Sequence, residues 1–292
     1  MTLFTGAGVA IVTPFKDGMV DFPSLGQLID WQISQEIDAI IICGTTGEAS
    51  TLNDKEHIET VQYAVEKANG RVPVIAGAGS NDTAHAIYMS QELEAKGVDG
   101  LLLVTPYYNK CTQKGLIQHY TKIADAVNIP IILYSVAGRT GVNISPSTVF
   151  ELARHPNIVG IKEASGNISQ VVEIAKCIND DFALYSGNDD MIVPLLSIGG
   201  IGVISTVANV VPKDTHDMVM KYLSGKTKEA SKLQLDMKHL IDALFIEVNP
   251  IPIKAALSLM GKIKLEYRLP LCPPEEKSME IIIKELTAYG LI

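Results

Sequence analysis

Short apolar runs alternate with longer amphipathic stretches along this chain, the two recurring together about every 25 to 30 residues, which is the rhythm of repeated βα units. The runs are Val9 to Val12, Ala39 to Cys43, Val74 to Ala78, Leu101 to Val104, Ile131 to Tyr134, Ile158 to Lys162, Ala183 to Ser186 and Gly202 to Ser205. Several are apolar throughout, such as Ile40-Ile41-Ile42 and Leu101-Leu102-Leu103-Val104. A strand with one wet face would alternate, so these predict parallel strands covered on both faces. Eight such units predict an α/β fold, a (β/α)8 TIM barrel. Between the runs, residues 53 to 69 carry apolar positions at helical spacing, with Asn53 as N-cap and Glu56 placed to close a capping box. A second helix is predicted from Asp82 to Lys96, ending at Gly97.

From about Thr227 the strand rhythm stops. Residues 229 to 245, 251 to 260 and 275 to 289 read as helices, separated by Asn249-Pro250 and by the stretch Pro270 to Pro274. The expected organisation is a catalytic barrel over residues 1–226 and a helical C-terminal appendage over residues 227–292. No flexible linker or internal repeat separates them, so the appendage is expected to pack on the barrel.

Composition narrows the function. With 292 residues, 47% of them hydrophobic, the chain can bury a large core. A net charge of -9 without any dense Lys/Arg run argues against nucleic acid and for small-molecule partners. Residues 1 to 10 lack a basic region followed by an apolar run, and no later stretch stays apolar long enough to span a bilayer. A soluble, cytoplasmic protein is expected. Cys43, Cys111, Cys177 and Cys272 are scattered without C-x-x-C or His spacing, predicting reduced thiols and neither disulfide nor zinc. The histidines form no triad or metal cluster by spacing. The run Gly199-Gly200-Ile201-Gly202 is wrongly placed for a dinucleotide fingerprint. No metal or cofactor is expected.

A barrel of this kind builds its site at the C-terminal ends of its strands, and those ends are polar here. They include Thr13, Gly44 to Glu48, Gly79-Ser80-Asn81, Thr105 to Tyr108, Tyr134, Lys162-Glu163, Gly187-Asn188 and Ser205-Thr206. Lys162 closes the apolar run Ile158-Val159-Gly160-Ile161. Burial disfavours an ammonium and so favours the neutral amine, the nucleophile that attacks a ketone. The alternative is a buried ion pair with Glu163 or another carboxylate. Tyr134 ends the preceding strand, about 4.8 Å away, from where its phenol can exchange protons with the amine or a substrate. It can equally be an aromatic that fills the barrel. The Gly44 to Gly47 turn offers hydroxyls and N–H groups to a carboxylate, or is a plain glycine-rich turn. Arg139, in Gly138-Arg139-Thr140-Gly141, is a fork for a second carboxylate or a solvated loop residue.

Taken jointly, Gly44-Thr45-Thr46-Gly47-Glu48, Thr105-Pro106-Tyr107-Tyr108-Asn109-Lys110, Tyr134 with Arg139-Thr140-Gly141, and Ile161-Lys162-Glu163-Ala164-Ser165-Gly166 resemble the dihydrodipicolinate synthase family. Ser186-Gly187-Asn188-Asp189 and Asn249-Pro250-Ile251-Pro252-Ile253-Lys254 extend the match to nearly the whole chain. The resemblance implies a pyruvyl imine on Lys162, with Tyr134 as general acid and base. It implies a proton relay of Thr45 and Tyr108, the latter supplied by the neighbouring subunit, hence a homo-oligomer, at least a dimer and commonly a tetramer. Thr46 would hold the pyruvate carboxylate near backbone groups of Gly187 and Ile204, and Arg139 would receive that of L-aspartate 4-semialdehyde. The product would be 4-hydroxy-tetrahydrodipicolinate, on the route to lysine and diaminopimelate.

Arg139 favours that reading over a retro-aldol lyase acting on a sialic or keto-deoxy sugar acid, which would use the same imine. A barrel that binds keto acids without turnover would form the imine yet change no carbon–carbon bond. The family usually shows Tyr-Asn-Val-Pro before the arginine, whereas Ser135, Ala137 and Gly138 stand here. Without that proline the loop carrying Arg139 is expected to loosen. Ser50, His57, Asn81, His85 and Tyr107 match an allosteric lysine site of some relatives. Asp54 and His85 stand where lysine-sensitive members often carry a histidine and a glutamate, which predicts weak or absent feedback.

Overall fold

The structure, a computed structural model, describes residues 2–292. Eight parallel strands close a barrel: β1 (Gly6–Ala10), β2 (Ala39–Ile42), β3 (Val74–Gly77), β4 (Gly100–Val104), β5 (Ile131–Ser135), β6 (Ile158–Glu163), β7 (Ala183–Ser186) and β8 (Gly202–Ser205). Each pairs with its neighbours in the chain, and β8 returns to β1. Seven strands fall within a residue of the apolar runs. The first begins three residues earlier than Val9, because Gly6 to Val9 pair with Gly202 to Ser205. Glycine and alanine start that strand, so hydrophobicity alone did not mark it. A two-stranded antiparallel hairpin, Phe15–Lys16 with Met19–Val20, was too short to leave a periodic signal.

Side chains divide by the period of two along each strand. Ile41, Ile75, Leu102, Ile132, Tyr134, Ala183, Tyr185 and Ile204 form one buried cluster in the lumen. Ile40, Ile42, Leu101, Leu103, Ile131, Leu133, Ile161, Leu184 and Val203 belong to the larger cluster shared with the helices. Both faces of the strands are therefore apolar, as their unbroken hydrophobic runs require. Below the lumen Phe4 stacks on Tyr185 at 4.6 Å between centroids, and the Tyr185 hydroxyl donates to the Phe4 carbonyl at 2.7 Å. The barrel is a packed core with its polar groups at one end.

The helix Asp54–Ala68 carries both halves of the capping box at Asn53 and Glu56, and ends on Asn69 in the left-handed region. The helix Thr83–Ala95 is capped by the Asp82 side chain. Past the barrel, the single helix expected over 229 to 245 is two, Thr227–Asp236 and Lys238–Leu244, which meet at Met237. Ile251–Leu259 and Glu276–Tyr289 follow. Met237, Leu244, Ile253, Leu257, Ile282 and Leu286 are buried in the same cluster as the outer strand faces, so this region shares the barrel's core. Among the described residues no helix is long and apolar enough to cross a membrane.

Barrel closure demands a close approach at the β8–β1 seam: a Cβ on Gly202 would lie 2.2 Å from the Gly6 carbonyl oxygen. Backbone on both sides leaves nothing flexible to yield. Gly202→Ala should therefore cost about 1–3 kcal/mol of stability, as overpacking typically does, read as a lowered denaturant midpoint.

Candidate active site at the barrel mouth

Lys162 lies opposite Tyr134 on β5 and Tyr185 on β7 in the strand register. Side chains in register share a face, so all three point into the lumen. Lys162 and Tyr134 are buried at 5% and 6% exposure, with the Lys162 Nζ 4.3 Å from the Tyr134 ring centroid. Tyr185 is committed below to Phe4. Of the two, Tyr134 is the one whose ring lies against the amine.

The alternative of an ion pair with Glu163 does not hold. One residue on, that side chain turns outward, where its carboxylate accepts from the Ser165 N–H at 3.2 Å and from Gln170 Nε2 at 3.0 Å. Burial raises the Glu163 carboxyl above its ordinary range, and those bonds oppose the rise. Asp189 is the buried carboxyl on the lysine's side. It accepts from the Ser205 hydroxyl and from the Thr206 and Val207 amides at 3.1 and 3.3 Å. Burial pushes its carboxyl up against those bonds. Among the described residues no carboxylate lies within ion-pair distance of Lys162.

The turn after β2 supplies hydroxyls. Gly47 and Ala49 donate to the Gly44 carbonyl, Glu48 donates to that of Thr45, and the Thr13 hydroxyl holds the Gly47 carbonyl at 2.7 Å. Thr46 is buried, its Oγ1 accepting from Asn249 Nδ2 at 2.9 Å and lying 3.3 Å from Thr206 Oγ1. With Asn249 occupying an acceptor site, the Thr46 proton is available to Thr206 or to a bound carboxylate. Thr45 is half-buried. Gly187 abuts the lysine stem: a Cβ there would sit 3.1 Å from Lys162 Cγ and 2.7 Å from Ala164 Cβ. Its N–H already donates to the Glu163 carbonyl at 2.7 Å, so its carbonyl is what remains for a ligand. Ile204 is buried in the lumen cluster.

Arg139 sits on the short helix Ala137–Thr140, and its Nη2 donates to the Asn249 carbonyl at 3.2 Å. The loop does not rely on the missing asparagine and proline. Thr140 Oγ1 accepts from Thr105 at 2.8 Å and donates to Val142 at 3.0 Å, while Ser135 Oγ contacts Asn143 at 3.2 Å and accepts from the Ile144 N–H. Tyr108 is the outlier: 90% exposed, with φ of 73°, it makes no hydrogen bond with Thr45 or Tyr134 in its own chain.

Beside the mouth, His57 Nε2 donates to the Gly77 carbonyl at 2.9 Å, and burial lowers its affinity for a second proton. Asn81 Nδ2 donates to the Tyr107 carbonyl at 3.2 Å, and Ser50 is exposed. His85 Nε2 meets Asp54 Oδ1 at 3.1 Å, so the carboxylate at 54 is engaged by a histidine. Asn249 and Thr206 were missed as site residues. Asn249 was read as punctuation before a helix, and Thr206 only as one of several polar strand ends.

The sequence profile of the Dihydrodipicolinate synthetase family matches residues 3–289. A 4-hydroxy-tetrahydrodipicolinate synthase from Acetivibrio thermocellus is 57% identical over 290 residues, covering 99% of this chain and 99% of its own. A crystal structure of dihydrodipicolinate synthase from Thermotoga maritima superposes with a TM-score of 0.98 at 43% identity, covering 100% of both chains. The chloride-inhibited dihydrodipicolinate synthase from Acinetobacter baumannii, complexed with pyruvate, superposes at 0.97 with 44% identity, also over 100% of both. With its barrel, its buried lysine and its full-length likeness to these proteins, the chain belongs to the dihydrodipicolinate synthetase family.

Proposed function

We propose that this chain condenses pyruvate with L-aspartate 4-semialdehyde to form 4-hydroxy-tetrahydrodipicolinate, as a step of lysine and diaminopimelate biosynthesis. The observation that carries the reading is the Lys162 amine, buried beside Tyr134 and without a paired carboxylate. The neutral amine adds to C2 of pyruvate, and loss of water leaves the imine. Each step moves a proton, and the phenol of Tyr134, whose ring lies 4.3 Å from the amine, is the group assigned to carry it. Loss of a proton from the pyruvate methyl gives the enamine, whose carbon attacks the aldehyde. The amine of the semialdehyde then displaces Lys162 from the imine carbon, closing the ring and freeing the lysine.

Thr46 suits the pyruvate carboxylate, with the Gly187 carbonyl and Ile204 shaping the space around it. Arg139, held by Asn249, suits the carboxylate of the semialdehyde. That arginine favours the synthase over a sugar-acid lyase. Thr45 and Tyr108 serve the proton relay, with Tyr108 reaching the site of a second copy. Its exposure suits a side chain that enters a neighbouring copy, at least a dimer and in the family's manner a tetramer, and the chain is assigned to the cytoplasm. At the lateral site, Asp54 Oδ1 is engaged by His85, which weakens the site's hold on the ammonium of an incoming lysine, so feedback is weak or absent.

Borohydride added in the presence of pyruvate should fix a pyruvyl adduct that peptide mapping places on Lys162; an adduct on another lysine sinks the assignment. Lys162→Ala should abolish trapping and lower kcat by on the order of a thousandfold or more. Tyr134→Phe should still trap, with turnover reduced by about 10²–10⁴-fold. Product assays should show turnover with aspartate semialdehyde and none with sialic or keto-deoxy sugar acids. Calorimetry with L-lysine should give little heat, and tight binding would overturn the reading of the lateral site.

A further inference from the structure

Two residues that do not reach Lys162 or Tyr134 form the most deeply buried charge pair among the described residues. Lys254 Nζ donates to Glu48 Oε1 at 2.5 Å, and both side chains have no exposure. The Lys254 ammonium lies 4.3 Å from the Phe15 ring centroid and 5.1 Å from that of Tyr267, so aromatic faces replace water around it. Glu48 Oε2 accepts the Arg268 N–H at 3.3 Å. The Arg268 guanidinium reaches the far end of the same loop, at Glu56 (2.6 Å) and the Thr51 carbonyl (2.8 Å). A buried pair of this kind is weak support for stability, since apolar residues of similar volume often replace it without loss. Its value lies in holding two segments in one register.

The segments it joins meet at the barrel mouth. Glu48 closes the turn that carries Thr45 and Thr46, its own N–H donating to the Thr45 carbonyl at 3.2 Å. It does so with φ of 54°, a conformation that a non-glycine residue keeps only where its surroundings impose it. Lys254 lies one helical turn beyond Asn249, its N–H donating to the Pro250 carbonyl at 3.0 Å. Asn249 in turn holds both Thr46 Oγ1 and Arg139. Turn and helix are thus fastened twice, by Asn249 to Thr46 and by Lys254 to Glu48, 203 and 206 residues apart in the chain.

We propose that Glu48 and Lys254 are positioning residues for the pyruvate site, clamping the Thr45–Thr46 turn to the C-terminal helix so that the Thr46 hydroxyl keeps its place at the mouth. The inference rests on Thr46 receiving the pyruvate carboxylate. Freed from the clamp, the turn still folds but presents that hydroxyl less well, and the loss falls on pyruvate capture.

The test uses the full-length protein with Glu48→Gln, Lys254→Met and the double variant. Each is read for Tm, for pyruvate KM and kcat, and for borohydride trapping against pyruvate concentration. The single variants should lower Tm by stranding a buried charge, and the double should recover most of it. All that fold should show a pyruvate KM raised about tenfold, with kcat at saturating pyruvate within about threefold of wild type, the signature of lost ground-state binding. Leu286→Ala, in the helical region away from the pair, supplies a matched loss of Tm and should leave KM unchanged. A folded double variant with wild-type KM overturns the proposal, as does a control that raises KM equally. If the single variants do not fold, the double decides. Wild-type protein run alongside separates the two readings: absence of a Lys162 adduct there rejects the Schiff base itself, whereas trapping with unchanged variant KM rejects only the clamp.

Discussion

The chemistry depends on strand parity at β6. Lys162 is paired with Tyr134 and Tyr185 across the sheet, and side chains on a strand alternate faces. Parity sends the lysine into the lumen and the adjacent Glu163 out toward the helices, where Ser165 and Gln170 occupy its carboxylate. A slip of one residue would exchange the two, leaving a carboxylate in the lumen and the amine among the helices. The bulge between Ile131 and Ile132, where the β5–β6 register shifts, helps set which residue ends opposite Tyr134. Beneath, Phe4 and Tyr185 stack within the lumen.

The mouth is not made by the barrel alone. Thr46 is held from above by Asn249, and Arg139 by the carbonyl of the same residue. The region after residue 227 therefore contributes to the geometry of the mouth while its apolar residues complete the common core. The same arrangement keeps the mouth from being acidic although the chain carries a net charge of -9. Bulk charge acts over a screened range of about 8–10 Å, while the carboxylates near the amine are already engaged, Glu163 by Gln170 and Asp189 by Ser205 and two amides. What faces the mouth is an amine, a guanidinium and hydroxyls.

The barrel was legible because its signals are local. Unbroken runs such as Ile40 to Ile42 and Leu101 to Leu103 marked strands buried on both faces, and Asn53 with Glu56 marked a helix start that the structure places there. Where the signal was weak, the reading drifted. β1 begins on Gly6-Ala7-Gly8, which reads as loop by hydrophobicity yet pairs along β8. The helix over 229 to 245 looked continuous because its periodicity carries through Met237, the junction at which the two helices meet. Lys162 and Tyr134 stood out as candidates because an ionisable or polar residue ending an apolar run is conspicuous in one dimension.

The pattern of residues by itself determined the class of fold, the eight strands of the barrel, the capped starts of two helices and the lysine that the family resemblance singles out. Only the tertiary structure decided that Glu163 turns away from that lysine, that Asn249 grips Thr46 and Arg139, that Glu48 meets Lys254, and that Asp54 is already held by His85. The physical reason is range. Periodicity and capping are set by neighbours within a few residues, whereas hydrogen bonds between residues about 200 apart depend on how the barrel closes and where the C-terminal helices dock, and leave no mark in either local stretch of sequence.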